Sequence, residues 1–264
     1  AALTTATTGS HNVAVGSNAL YDCTTGQYNA AVGKGCGQNI TTGQLNSFLG
    51  AAVFETATTC NNNVGVGYQA GFSATTNADD NTIVGYRAGF DITTGDNNLL
   101  LGKEAGRTGS PGGQITTASN TIVLGDENIS AAHIQVALTV ASDKRDKTDV
   151  KPLDLGLSFI NQLLPVTYRW DKRSKYSPDQ SVTPTGEFKE EQLDVGFLAQ
   201  DVQQLEEKSG YKMDEKTNLM AHESKDGLMM GLKYEKFVPA LVKAVQELSA
   251  EVTELRGIVA ASKA

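Results

Sequence analysis

The sequence predicts a mixed protein in two parts: a repetitive all-β segment, built as a solenoid or an intertwined β-structure, then an α/β domain ending in a long coiled-coil helix. Three observations predict this. A motif recurs about every 17 residues, composition changes near Ser142, and a heptad pattern closes the chain. We place the β-repeat segment at residues 1–127, a junction at 128–141, the second domain at 142–264 and its coiled coil at 234–260.

Composition separates the two parts. Residues 1–141 contain 4 Lys or Arg and 9 Asp or Glu, whereas residues 142–264 contain 18 and 21. Glycine changes in the opposite direction, with 20 of the 27 before Ser142. Segments with such different chemistry are not expected to share one hydrophobic core.

Charge and hydropathy exclude several classes of partner. The net charge of -8 is spread over both parts, and no long basic run is present that would neutralise a phosphate backbone, so we expect no nucleic acid. No apolar stretch approaches the roughly 20 residues that span a bilayer, so we expect no membrane insertion. Because the sequence begins with Ala1 rather than Met, we expect the native protein to be longer.

The first part repeats an N-x-x-[VL]-G unit. A looser seventh copy, Asn120 to Gly125, follows an insertion that contains Pro111. Short runs such as VAVG and TIVG predict strands of about four residues, since this glycine density prevents a helix. One unit buries too little to be stable alone, so the units must stack. Six glycines, spaced 17, 17, 17, 18 and 17 residues apart, define the period: Gly16, Gly33, Gly50, Gly67, Gly85 and Gly102.

The polar and thiol residues of the repeat are predicted to be structural. The repeated asparagines, such as Asn12 and Asn29, are interpreted as turn residues that cap their own backbone, because calcium-binding β-rolls need carboxylates at such positions. Cys23, Cys36 and Cys60 match no zinc spacing and are predicted to be small buried side chains. We predict no metal site and no cofactor.

The second part begins as a compact α/β domain. The runs VTYRW and LDVGFLAQ predict strands on either side of an exposed polar loop or hairpin from Asp171 to Gln192, which includes Pro178. Asp201 is placed to cap the helix after the second strand. Four apolar residues at roughly helical spacing predict an earlier helix that ends before Pro165: Leu153, Leu157, Ile160 and Leu164.

Near the end of the chain, apolar residues are spaced alternately four and three residues apart. A surface helix would show a wider stripe of period 3.6, whereas this pattern keeps to 3.5 and favours a parallel coiled coil. Valine alternating with leucine would by itself favour a dimer. Glu251 and Arg256 are placed to pair between neighbouring helices. We call the eight apolar residues the seam: Tyr234, Val238, Leu241, Val245, Leu248, Val252, Leu255 and Val259.

Four motifs follow one another along the second part. They are SDKRDK from Ser142, LLPVTYRW from Leu163, GFLAQDVQ from Gly196 and YEKFVPALVKAVQEL from Tyr234. Together they resemble the chaperone domain that ends endosialidase tail spikes, and similar domains end the tail fibres and neck appendages of other phages. The repeat segment is similar to the head repeats of trimeric autotransporter adhesins and to the β-structured shafts of phage fibres.

The resemblance implies a parallel homotrimer whose last domain is an intramolecular chaperone, released by autoproteolysis after assembly. In the family pattern, cleavage precedes the serine of an S-D-x-R-x-K motif. This implies a scissile bond between Ala141 and Ser142, with Ser142 as nucleophile and Lys147 as base in a single-turnover serine endopeptidase. A tail fibre or spike of a virion, folded in the bacterial host cytoplasm and binding a host receptor or glycan, is the implied setting.

A lysine base must be neutral, so its pKa must fall from about 10.4 towards roughly 7 to 8 through burial or nearby positive charge. Lys144 and Arg145 are candidate sources of that charge, and Asp143 is a further candidate for support. Residues five apart lie on opposite faces of a strand. Ser142 and Lys147 are therefore expected to meet only across a turn or between chains.

Other bases and other functions stay open from the sequence. Lys144 shares a strand face with Ser142 and is the rival base, while the lone His133 is a weaker one. A non-cleaving trimeric adhesin stalk, with a permanent C-terminal trimerisation domain, is the alternative function. A membrane-anchored transcription factor with a similar self-cleaving domain is disfavoured, because the sequence has no basic DNA-binding segment and no membrane span.

Overall fold

The computed structural model describes residues 1–177, 180–224 and 226–263, so the predicted loop residue Pro178 lies outside it. The chain divides into two compact units. The first contains residues 1–131, 172–185 and 224–229, and the second contains residues 132–171, 186–223 and 230–264.

The first unit is built around a seven-stranded parallel sheet. Each strand pairs with the strand of the next repeat, so that Ala14 lies beside Ala31 and Ala31 beside Phe48. The pairing runs within one chain, which decides between the two predicted architectures in favour of a solenoid. The strands are β1 (Val13–Val15), β2 (Ala30–Val32), β3 (Ser47–Leu49), β4 (Val64–Val66), β5 (Thr82–Val84), β6 (Leu99–Leu101) and β7 (Ile122–Leu124).

The middle residue of each strand faces the core of the solenoid. Phe48 fills the core at β3, where its ring stacks on that of Phe54 with centroids 4.8 Å apart. The next strand has Gly65 at this position, and a Cβ there would lie 2.5 Å from Val53 Cγ1 and 3.0 Å from the Phe54 ring. The glycine is therefore needed because Val53 and the two aromatic rings already occupy the space of a side chain at this position.

The repeated asparagines form a buried ladder along the solenoid. Asn46 N–H donates to Asn29 Oδ1 at 3.1 Å, and Asn46 Nδ2 donates to the Cys60 carbonyl at 2.8 Å. The prediction that each asparagine caps its own backbone was wrong, because stacking brings the polar groups of neighbouring coils within reach. The expected burial of the cysteines is confirmed, and burial raises the pKa of the Cys36 and Cys60 thiols to about 12.

Two segments from later in the chain belong to the first unit. Asp226 accepts hydrogen bonds from Gln114 N–H at 2.7 Å and from Ser224 Oγ at 2.5 Å. Lys172 Nζ donates to the Glu127 carbonyl at 2.6 Å. The last coils of the solenoid thus pack with polar loops that the sequence places far away.

The second unit is the predicted mixture of short strands and helices. The described residues of the polar loop contain one 3-10 turn and no strand. The helix predicted to include Leu153 is a single turn, Leu157–Ile160. Asp201 does not cap the helix that follows the second strand, because the N-cap of that helix is Leu198 and Asp201 lies inside its first turn. The elements are α1 (Leu157–Ile160), β8 (Val166–Tyr168), β9 (Asp194–Gly196), α2 (Ala199–Lys208), β10 (Ala221–Glu223), β11 (Met230–Leu232) and α3 (Phe237–Ala261).

A buried carboxylate fixes α2 to the strand that follows it. Glu206 is fully buried, and its two oxygens accept the backbone N–H groups of Leu219, Met220 and Ala221 at 2.7 to 2.8 Å. A buried charge is tolerated only when such donors replace its water. The hydrophobic core around it includes Leu155, Phe159, Val202, Met220, Phe237 and Ala240.

Candidate cleavage site and assembly surface

A 3-10 turn at Lys144–Asp146 bends the chain directly after the predicted cleavage point. Asp143 caps the turn, since its side chain accepts the Arg145 N–H at 2.9 Å. The Arg145 guanidinium also pairs with the Asp143 carboxylate at 2.6 Å. The cap and the ion pair hold the turn in shape.

The turn brings Lys147 back to Ser142. Lys147 Nζ lies 2.6 Å from Ser142 Oγ, within one chain. The Lys144 side chain makes no hydrogen bond to Ser142 in this arrangement, and His133 lies in the exposed segment upstream. An ammonium donates to the hydroxyl oxygen, whereas a neutral amine accepts the hydroxyl proton, so the same contact serves either protonation state.

The surroundings of this pair are charged and open to solvent. The Arg145 guanidinium, and then the Arg145 N–H, hold the pKa of Asp143 below its usual range. The positive charge of Arg145 is thus directed to Asp143 rather than to Lys147. Ser142 and Lys147 are both exposed in the single chain. One chain therefore brings hydroxyl and amine together without removing them from water.

Helix α3 uses one face to dock in the second unit. Phe237, Ala240 and Ala244 are buried near its start. Further along, the Glu247 carboxylate accepts the Leu157 N–H at 2.6 Å and so caps α1 from outside. Sequence reasoning missed Glu247, because a contact between residues 90 positions apart leaves no local pattern.

The approach of Glu247 depends on a glycine at the start of α1. A Cβ at Gly156 would lie 2.1 to 2.5 Å from the Glu247 carboxyl group. Lys243 Nζ lies 3.2 Å from the same carboxyl group. The pKa of Glu247 is held below its usual range by the Leu157 N–H first and by Lys243 second.

The seam occupies another face of α3 and is open to solvent. Its exposed fractions run from 37% at Val252 to 65% at Val245. Tyr234 lies in the 3-10 turn before α3, where its hydroxyl accepts the Phe197 N–H at 3.2 Å. A continuous apolar strip of this length on a folded helix indicates a surface that associates with another surface.

Within the part of the chain that the structure describes, no helix combines the length and the apolar composition of a membrane span. Over the same residues, no three His, Cys, Asp or Glu side chains cluster as metal ligands would.

Comparison with known proteins finds one family match, which lies within the second part. Residues 142–211 match the family model described as the chaperone of endosialidase, a family also classed as a peptidase. The match contains the first three of the four motifs and begins at Ser142. No curated protein matches the chain, and no solved structure does so either. The segment that follows the β-solenoid is therefore similar, over residues 142–211, to the endosialidase chaperone family.

Proposed function

We propose that this chain is the C-terminal part of a bacteriophage tail fibre or tail spike that assembles as a parallel homotrimer. Its chaperone domain drives trimerisation and folding of the solenoid and is then released by cleavage between Ala141 and Ser142. The observation that carries the proposal is the 2.6 Å contact between Ser142 Oγ and Lys147 Nζ at the start of the matched segment. The fibre that remains is a virion component that contacts a host receptor or glycan.

The cleavage chemistry uses Ser142 as nucleophile and Lys147 as base. The Lys147 amine takes the proton of the Ser142 hydroxyl, and Oγ attacks the carbonyl carbon of Ala141. The C–N bond breaks, the proton passes to the Ser142 nitrogen, and an ester joins Ala141 to Oγ. Water then hydrolyses the ester, which leaves a carboxyl group on Ala141 and a free amine and hydroxyl on Ser142.

Assembly supplies what the single chain lacks. Lys147 is exposed in one chain. A lysine acts as a base only in its neutral form, and burial of an amine favours that form. The proposal therefore has cleavage follow correct assembly, because neighbouring chains exclude water from the site.

The architecture explains why such a chain needs a chaperone. The paired strands of the solenoid are 17 or 18 residues apart in the sequence, except for the last pair, which is 23 apart. Correct folding therefore depends on register across seven similar repeats. Pairing of this kind is slow, because loop closure precedes the contacts that reward it. A trimer seed formed by the seams aligns three chains before their solenoids fold.

Intact-mass measurement of Ser142→Ala tests the proposal. The wild-type chain is expected to give two fragments that separate at Ala141, whereas the variant should remain a full-length trimer. A wild-type chain that assembles yet stays whole would instead be a permanent adhesin stalk. Cleavage of the variant at Ala141 would exclude Ser142 as nucleophile.

A further inference from the structure

The turn after the predicted cleavage point places an acidic side chain at the spacing that favours an ion pair with the proposed base. Asp143 and Lys147 are four residues apart, at the N-cap and the C-cap of the 3-10 turn Lys144–Asp146. Side chains four residues apart on a helical turn are neighbours, and an Asp–Lys pair at this spacing is attractive. A carboxylate beside Lys147 would favour the ammonium form, which cannot act as a base.

In the structure this carboxylate is paired with Arg145 instead. Arg145 Nε lies 3.1 Å from each of the two Asp143 oxygens, and Arg145 Nη2 lies 2.6 Å from Asp143 Oδ2. The guanidinium therefore meets both oxygens at once, which is the strong and geometrically specific form of a charge-assisted hydrogen bond. Among the described residues, Lys147 forms no ion pair, and its amine lies against Ser142 Oγ at 2.6 Å.

The other charged groups near Lys147 do not compete for its amine in this way. Asp146 is adjacent to Lys147 and Asp149 is two residues beyond it, and helical side chains at those spacings do not face each other. Lys144 carries a positive charge, which favours the neutral amine. Over the residues that the structure describes, no side chain from another element forms an ion pair or a hydrogen bond with Lys147. The competing carboxylate is therefore that of Asp143.

We propose that Arg145 is a positioning residue for cleavage, because it binds the Asp143 carboxylate and so leaves the Lys147 amine free. The free amine can then take the proton of the Ser142 hydroxyl. The proposal rests on the proposed cleavage chemistry. It differs from a general supply of positive charge, because the effect of Arg145 passes through one carboxylate. The effect grows on assembly, since opposite charges attract more strongly as water is excluded.

Two substitutions remove the charges and keep the cap of the turn. Arg145→Gln keeps the backbone N–H that Asp143 Oδ1 accepts at 2.9 Å. Asp143→Asn keeps an acceptor at the N-cap, where Asn serves about as well as Asp. The turn should therefore keep its shape in both variants, so that a change in cleavage reports the charges.

The test is the rate of cleavage as a function of pH. Full-length trimers are assembled at mildly acidic pH, shifted to each test pH and followed by gel and intact mass. For Arg145→Gln we expect the midpoint of the rising limb to move up by about one pH unit, the order of shift that a nearby opposite charge causes. Below the midpoint, cleavage then slows roughly tenfold, while the rate at high pH reaches that of the wild type. Adding Asp143→Asn to Arg145→Gln should bring the midpoint back.

Lys151→Gln is the matched control, because it removes an exposed positive charge close to the turn that is not bound to Asp143. We expect its midpoint to stay at the wild-type value. Equal midpoints for Arg145→Gln and the wild type would overturn the proposal, and so would a double variant that stays as slow as Arg145→Gln. A loss of rate at every pH would make Arg145 merely structural.

The same measurements separate this proposal from the proposed function. If the wild-type chain is cut at Ala141 and Ser142→Ala is not, the proposed chemistry stands whatever Arg145→Gln shows. A wild-type trimer that stays whole at every pH would remove the proposed function, and the role of Arg145 would fall with it.

Discussion

Lys147 reaches Ser142 across four intervening residues, and the geometry of this turn depends on the Asp143 cap. The contact is 2.6 Å long and involves the amine that family resemblance selects over the rival Lys144. Position alone does not distinguish a base from a positive charge that polarises the hydroxyl. Substitution by arginine does, since a guanidinium keeps its charge and cannot lose its proton.

Lys147→Arg is expected to assemble normally and to cleave roughly 10² to 10⁴-fold more slowly, the usual contribution of a positioned base. Lys144→Arg is the matched control, and we expect it to cleave at the wild-type rate. The measurement is the cleavage rate of preassembled trimers by gel and intact mass. Rapid cleavage by Lys147→Arg, combined with an inert Lys144→Arg, would transfer the role of base to Lys144.

At the scale of elements, α3 serves two purposes on two faces. One face docks through Phe237 and Ala240 and caps α1 through Glu247. The other face is the exposed seam. The docked contacts belong to one chain and affect its stability, whereas the seam is the proposed surface of association. Substitutions on the two faces are therefore expected to give different phenotypes.

The Glu247 cap predicts a dependence of stability on pH. The Leu157 N–H, and then Lys243, lower the folded-state pKa of Glu247. As the pH falls, the unfolded chain therefore protonates Glu247 at a higher pH than the folded chain does. The cap therefore stabilises the fold above a pH of about 4.3, and this contribution is lost as pH falls through the folded-state pKa. We expect Glu247→Gln to weaken the acid dependence of the unfolding free energy, measured by urea titration at several pH values.

Glu254→Gln is the control for this experiment. It removes the same charge from the same helix but accepts no hydrogen bond from α1 among the described residues. Equal pH profiles for the wild-type chain and Glu247→Gln would contradict the prediction.

The seam prediction concerns association alone. Leu248→Glu would place three carboxylates in the middle of a trimeric seam without partners, a cost that grows as they lose water. Because Leu248 is 48% exposed in one chain, the fold of that chain should survive. Light scattering is expected to give the 27.9 kDa mass of one chain, whereas Gln246→Glu, off the seam, should remain a trimer. A trimeric Leu248→Glu with normal circular dichroism would show that association lies elsewhere.

In the proposed trimer, every chain carries both the proposed nucleophile and the proposed base. Their contact lies within one chain, so the proposal requires neighbouring chains for desolvation but not for a catalytic group. Such a trimer would contain three independent reaction sites.

Mixed trimers test this arrangement. Ser142→Ala chains retain Lys147, and Lys147→Arg chains retain Ser142, so the two variants together supply both groups in different chains. Because the contact is within one chain, we expect the mixture, after denaturation and joint refolding, to remain uncut. Appearance of the 1–141 fragment from the Lys147→Arg chains would show that the base acts between chains.

Three features could be read from the sequence before the structure: the repeat, the heptad pattern and the resemblance to a known family. Glycines about 17 residues apart predict stacked units, because only stacking lets so short a unit bury its apolar residues. The family was readable because SDKRDK and the two following motifs lie in the segment that the family model matches. The buried cysteines and the helix at the C-terminus were also predictable, since each depends on local pattern and composition.

Features that depend on contacts between distant residues were visible only in the folded chain. They are the pairing of the solenoid strands within one chain, the asparagine ladder in place of local caps, and the Glu247 cap on α1. No sequence feature indicates that residues 172–185 and 224–229 group with the solenoid. The sequence left two ways for Ser142 and Lys147 to meet, across a turn or between chains. The structure shows the turn, which Asp143 caps. Local pattern fixes which elements form, whereas the partners of polar groups depend on which backbone donors the folded chain brings within hydrogen-bonding distance.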